Sequence, residues 1–263
     1  MLFILLGNYI IFKKITVNKV SNKETWKKDE SATFEGWDFS YTKNRVKQSY
    51  PDFDYIEKAK RLIKDKIILD MGTGGGELFS EIAPIAKKAY ATETYKPNIE
   101  IAKKNLKKFG VEVFGIHSQN KLPFEDRFFD VVLNKHEYFN SSEVFRVLKK
   151  GGIFLTQQVG GDDLSDLHDF FDSQSKHPYW NLIFASEKIK KAGFEILEEK
   201  NWIGKTEFLD VGALVYTLKA IPWIIDGFSV DTHYNYLKRL QKKLDGGKKL
   251  IFTRTRFLIM ARK

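Results

Sequence analysis

This sequence predicts an α/β fold built on a mostly parallel sheet, and three observations carry the expectation. Short apolar runs alternate with helix-like segments over residues 52–200. The runs read as continuously apolar, as strands covered on both faces do. A glycine-rich stretch, IILDMGTGGGELFSEIA, joins the first run to the next helix-like segment. The expected architecture is a seven-stranded sheet with helices on both faces, an antiparallel C-terminal strand and a helical cap insertion.

In chain order, residues 52–65 read as a helix and Ile67–Met71 as the first strand. Glu77–Ala86 returns to helical spacing despite Pro84, and Ala89–Thr94 is the second strand. A helix opens at Pro97, a residue favoured in the first turn. Val111–His117 and Asp130–Asn134 are the third and fourth strands. A helix over Ser141–Lys149 is expected to stop at the glycine pair 151–152. Ile153–Val159 is the fifth strand, Ser186–Ala192 a helix and Phe194–Glu199 a further strand. The closing segment KLIFTRTRFLIMARK is rich in β formers and is expected to lie against Phe194–Glu199. Between them, residues 203–247 form the insertion, with the helical run FLDVGALVYTLKAIPW and a second helix around Asp231–Leu244. Residues 1–20 read as an N-terminal extension, 21–50 as an arm and 51–263 as the main domain.

Composition narrows the function. The 263 residues suffice for one large domain, and 43 % apolar with 30 % charged residues is an ordinary globular balance. The formal charge of +10 admits a nucleic-acid partner, but lysines are dispersed along helices rather than clustered. The absence of cysteine excludes disulfides, thiolate metal sites and cysteine nucleophiles. The five histidines show no metal-ligand spacing, so no metal is expected. The apolar start MLFILLGNYIIFKK falls short of the ~20 residues that span a bilayer and lacks signal-peptide flanks. A cytosolic (cytoplasmic) protein without stable membrane insertion is expected; the oligomeric state is left open.

Asp70, Gly72, Gly74 and Gly76 form a D-x-G-x-G-x-G pattern between strand and helix. Glycine there admits torsions and backbone approaches that a β-carbon forbids. The dinucleotide fingerprint would need glycine at position 77, which is glutamate, and no G-K-[ST] follows for a P-loop. A ligand without phosphates fits this loop better. Glu93 ends the second strand at the spacing where a carboxylate can chelate a ribose diol.

Four ordered segments, LDMGTGGGELF, YATETYKPNIEIAKKNL, LPFEDRFFDVVLNKHEYF and RVLKKGGIFLTQQ, together resemble the class I S-adenosylmethionine-dependent methyltransferases. GWDFSY and DVGALVYTLKAIPW look like segments of a bacterial subgroup. The resemblance implies a Rossmann-like sheet and S-adenosyl-L-methionine as cofactor. It also implies that Gly72, Thr73, Gly74 and Gly76 pass under the methionyl and ribose part, with Asp70 orienting the methionyl amine. Glu93 would bind the ribose hydroxyls, Tyr95 would lie against adenine, and Thr94 and Asn134 would complete the cofactor set. The family's aspartate before LPF is missing, so Gln119 or Ser118 is expected at the adenine edge.

Methyl transfer by in-line displacement requires alignment and exclusion of water, and a base only when the acceptor must lose a proton. His136, in NKHEYF after the fourth strand, is the candidate for a base or orienting group; the plainer alternative is a loop histidine bonded to Glu137. Glu137, Tyr138, Gln157, Trp37, Tyr41 and Trp223 are the substrate-side candidates. Alternation allows only one of Gln157 and Gln158 to face the site. Aromatic walls suit a small acceptor, so O- or N-methylation of a small molecule is favoured. An RNA base methyltransferase is the alternative, weakened by the missing N/D-P-P-Y/F tetrapeptide. A non-catalytic, regulatory S-adenosylmethionine-binding protein is the reading of another class.

Overall fold

The computed structural model describes residues 21–35 and 37–263, so the expected extension over residues 1–20 lies outside the described residues. Helix α1, Asn22–Ser31, opens on a capping box in which Ser21 and Glu24 satisfy each other's backbone amides. Strand β1, Val46–Gln48, and helix α2, Tyr55–Ile63, follow, the latter capped by Asp54. The βα core continues with β2 (Ile67–Met71), α3 (Glu77–Ile82), β3 (Lys88–Glu93), α4 (Lys96–Leu106), β4 (Glu112–Gly115) and β5 (Phe129–Lys135). Next come α5 (Ser141–Val147), β6 (Leu148–Val159), α6 (Ser165–Phe170), α7 (Leu182–Lys191) and β7 (Glu195–Phe208). The cap helices α8 (Val211–Ala220) and α9 (Tyr234–Asp245) precede the last strand, β8 (Leu250–Arg262).

The sheet has eight strands in the order β1-β7-β8-β6-β5-β2-β3-β4. Strands β2 to β6 are mutually parallel, while β8 runs antiparallel to both β6 and β7. The expected seven strands are all present, and the eighth is β1, three residues of the arm paired antiparallel with the end of β7. The pleat sends alternate residues to opposite faces. Ile68, Leu133, Leu155 and Leu258 meet α2, α3 and α4 on one face, and Leu69, Val132, Phe154 and Ile259 meet α5 and α7 on the other.

Two expectations are corrected. The helix from Ser141 stops at Val147, and the glycine pair belongs to β6. Leu148 already pairs with Phe129, and Gly151, at φ 78°, turns the chain where the register shifts. The insertion begins after Phe208 rather than at residue 203, because β7 runs for 14 residues and stays paired with β8 to Leu250. This ribbon passes the end of β6, where Val159 stands opposite Arg256, and so carries α8 and α9 beyond the carboxyl ends of the parallel strands. Among the described residues no helix is long and apolar enough to cross a membrane.

The arm and the cap share one apolar cluster, in which Trp26 of α1 packs with Leu214 and Leu218 of α8 and with Leu237 of α9. Arg45 bolts them together: it donates to Asp29 of α1 at 2.9 Å and, through Nε and Nη2, to Asp210 at 2.9 and 2.6 Å. Asp210 also caps α8 by accepting from the Ala213 amide. Arg45→Met would strand the buried Asp29 carboxylate and is expected to cost about 2 kcal/mol. Denaturant unfolding checks the loss, and limited proteolysis should cut the arm sooner than in the wild type.

Candidate active site

The glycine loop is held from below by β3 and from the side by α4. The amides of Gly72 and Thr73 both donate to the Thr92 carbonyl, at 2.9 and 3.0 Å, and Asn105 of α4 donates to the Gly75 carbonyl at 2.9 Å. Gly74 and Gly76 have φ values of 63° and 82°, a region that an L side chain enters only under strain. A β-carbon on Gly74 would lie 2.9 Å from Cδ1 of Trp37, and one on Gly76 would lie 2.7 Å from Cγ of Leu106. The spacing of the glycines therefore reflects contact from above by the arm and from behind by α4.

Glu93, 4 % exposed, is clamped where β3 ends. Its Oε2 accepts from the Gly74 amide at 2.7 Å, and its Oε1 accepts from the Thr94 and Tyr95 amides at 2.8 and 2.7 Å. Asp70 and Glu137 share the crevice with it. Burial, reinforced by the Glu93 charge, pushes both carboxyl groups up to about 7. Glu137 lies against the loop so closely that a side chain on Gly72 would collide with it.

Several buried polar atoms at this end of the sheet make no hydrogen bond among the described residues: Oγ1 of Thr73, Oγ1 of Thr92, Nδ2 of Asn134 and both amide atoms of Gln119. Buried polar groups without partners are uncommon, and a cluster of them beside a glycine loop marks where a polar ligand would sit. Of the two adenine-edge candidates, Gln119 is buried and free, whereas Ser118 is exposed and accepts from the Asn120 amide. Tyr95 is 63 % exposed beside the Glu93 clamp.

His136 has φ 63°, and its amide donates to the Gln157 carbonyl at 2.8 Å. His136 is exposed, with its Nε2 2.9 Å from the Gln157 amide nitrogen. Its partner is thus Gln157, not Glu137. Crowding by the surrounding protein, with Arg256, Lys135 and Arg254 nearby, shifts the imidazole below its ordinary range and favours its neutral form. With Gln157 donating to Nε2, the ring proton resides on Nδ1; rotating the amide reverses the tautomer. Gln158 projects to the opposite face, where it donates to Asn134, Thr156 and the Glu137 carbonyl.

The aromatic candidates divide. Trp37 from the arm and Trp223 from the cap meet edge to face at 5.9 Å, above Gly74. Tyr41 is engaged elsewhere, stacked on Tyr216 at 4.5 Å with its hydroxyl donating to Asp29. Tyr138 is exposed, its hydroxyl donating to Asn120 at 3.3 Å. Sequence reasoning missed Tyr55, at the start of α2. It is buried, with its hydroxyl unpartnered near Asp70 and the Lys135 ammonium 5.9 Å from its ring. Its position in a helical pattern reads only as core.

Residues 69–156, from β2 to the middle of β6, match the methyltransferase-domain family model. Over these residues the chain is similar to methyltransferase domains, and its Rossmann-like sheet agrees with that likeness. Its fold is similar to that of a candidate methyltransferase of Bacillus halodurans (TM-score 0.57, 23 % identity, 79 % of this chain and 96 % of that one). It is also similar to the YcgJ protein of Bacillus subtilis (TM-score 0.54, 17 % identity, 79 % and 95 %). The ribosomal protein L11 methyltransferase of Dictyoglomus thermophilum is 30 % identical over 125 residues, 46 % of this chain. The chain spans 42 % of the length of that curated relative.

S-adenosyl-L-methionine is the cofactor of this domain, and the residues present suit it. A crevice lined by Asp70, Glu93 and Glu137 favours a cationic ligand, and Gln119 offers a buried donor and acceptor for a heterocycle edge. Because a cation selects the ionised carboxyl, cofactor binding should release protons below pH about 7, and affinity should fall as the pH drops further. Titration calorimetry in buffers of different ionisation enthalpy reads that release. The sign for folding is opposite. Asp70 and Glu137 favour the folded state below the ordinary carboxylate range, and that contribution is lost as the pH climbs through about 7. The cofactor-free domain should accordingly melt lower at about pH 8 than at about pH 6.

Proposed function

We propose that the protein transfers a methyl group from S-adenosylmethionine to an oxygen or nitrogen of a small molecule. The observation that carries this reading is the carboxylate of Glu93, held by three backbone amides beside the glycine loop and next to Asp70. In this reading Glu93 faces the ribose diol, Asp70 and the unpartnered Tyr55 hydroxyl face the amino-acid end, and Gln119 meets the adenine edge. Bound cofactor supplies an electrophilic methyl on a sulfonium. The chain's own residues then have three tasks: to hold the acceptor in line with that methyl, to exclude water and to take up a proton where one must leave.

His136, neutral and adjacent to Gln157, is the proton acceptor or orienting group of this scheme. The cofactor would supply its methyl to the acceptor lone pair, with the sulfur keeping the bonding electrons, and His136 would take up the acceptor proton where one must leave. Trp37 and Trp223 over Gly74 support a small acceptor, since together they narrow the entrance with apolar surface.

Radiolabelled S-adenosylmethionine incubated with a small-molecule extract, total RNA and total protein separates the acceptor classes. Label in the small-molecule fraction is expected, and label confined to RNA or protein would overturn the choice of acceptor. Glu93→Ala should weaken cofactor binding by about 100-fold or more, by removing the ribose partner and freeing the loop amide. His136→Ala should leave cofactor affinity within about threefold and lower turnover by about 100-fold.

A further inference from the structure

On the sheet face that carries α2, neighbouring strands end in cations. Lys135 of β5 stands directly beside Gln157 of β6. Arg256 of β8 stands beside Val159, two residues further out on the same face, and Arg254 follows two residues beyond. His136 closes over this row through its 2.9 Å contact with Gln157.

Anions are scarce there. Asp163 is shared, its Oδ1 accepting from Nε of Arg254 at 3.0 Å and from Nη1 of Arg256 at 2.7 Å. Asp162 is turned away to the Thr255 hydroxyl on the other face. Nε and Nη2 of Arg256 make no hydrogen bond among the described residues, and the Lys135 ammonium makes neither a hydrogen bond nor an ion pair among them. Two arginines thus share one carboxylate, and Lys135 beside them is offset only by the charges of Asp70 and Glu81, with neither of which it forms an ion pair among the described residues. Burial and mutual repulsion lower the proton affinity of Lys135, His136 and Arg256 together, as expected of a cluster that lacks its counter-ion.

Lys135 borders the cofactor crevice through Tyr55 and Asp70, and the arginine end of the row lies apart from it. Strands are about 4.8 Å apart, so the Arg256 backbone, three strands from Asp70, is at least about 14 Å from it. That is beyond the amino-acid group that Asp70 would orient. We infer that the row of Lys135, Arg254 and Arg256 beneath His136 anchors the methyl acceptor through an oxyanion, a carboxylate or a phosphate. The inference rests on the methyl-transfer reading of the crevice and gives the acceptor its chemical class.

The full chain saturated with S-adenosylhomocysteine is titrated with malonate, with inorganic phosphate and with neutral malonamide, following the His136 imidazole by NMR and the heat by calorimetry. One or both oxyanions should bind and raise the His136 pKa, and malonamide should not. Preference for malonate points to a carboxylate and preference for phosphate to a phosphoryl group. Arg256→Gln and Lys135→Gln should each weaken oxyanion binding tenfold or more, and Arg256→Lys should restore most of it. Arg256→Gln should leave the affinity for S-adenosylmethionine within threefold, which also shows that the variant folds. Oxyanions that fail to bind the wild type, or bind both Gln variants equally well, would overturn the inference while leaving methyl transfer standing. Loss of S-adenosylmethionine affinity in Arg256→Gln would assign the row to the cofactor instead and overturn it as well. A wild type that binds no S-adenosylmethionine would remove the methyl-transfer reading itself.

Discussion

The site depends on one carboxylate held by main-chain amides. Glu93 ties the loop after β2 to the turn after β3, through Gly74 on one side and Thr94 and Tyr95 on the other. Charge-assisted bonds to backbone donors are among the stronger hydrogen bonds, and these three are nearly removed from solvent. They fix the separation of the first two crossovers at the carboxyl edge of the sheet. Asp70, Glu137 and Gln119 take their places around that fixed edge.

A second constraint acts from the far side of the sheet. The β7–β8 ribbon is longer than the parallel strands and carries the cap outward over their carboxyl ends. The arm then crosses back, pairing β1 with the end of β7 and joining Asp29 to Asp210 through Arg45. Trp37 and Trp223 come together because these two segments, distant in sequence, are fastened to the same strand end. The wall above the glycine loop is therefore a property of sheet length as much as of any local motif.

Much of this was legible in the sequence wherever local physics dominates. Ile67–Met71 coincides with β2, because a short apolar run bounded by a lysine turn and a glycine loop has few other options. Glu93 was singled out by its spacing from the glycine loop and by the family resemblance, and Gln119 or Ser118 by the resemblance, whose aspartate is missing there. What stayed hidden depends on register. Val46–Gln48 carries no apolar pattern, since it is an edge strand made by its partner. The length of β7 was missed because its outer half, NWIGKTEF, breaks the apolar pattern with Gly204, Lys205 and Glu207. Tyr55 looks like any other core aromatic, and only its unpartnered hydroxyl distinguishes it. Lys135 and Arg256 are remote in sequence, and the pairing of β6 with β8 alone brings them into one row.

The strand order also bears on how the molecule is made. β8 follows every other described strand in the chain, yet it lies between β6 and β7. As the polypeptide leaves the ribosome, the glycine loop and the Glu93 clamp can form early from contiguous βα units. The ribbon, the cap, the arm strand and the arginine row all wait for β8 to insert. A nascent chain would hold a finished Glu93 clamp before any wall stood over it, which couples closure of the crevice to the insertion of the last described strand.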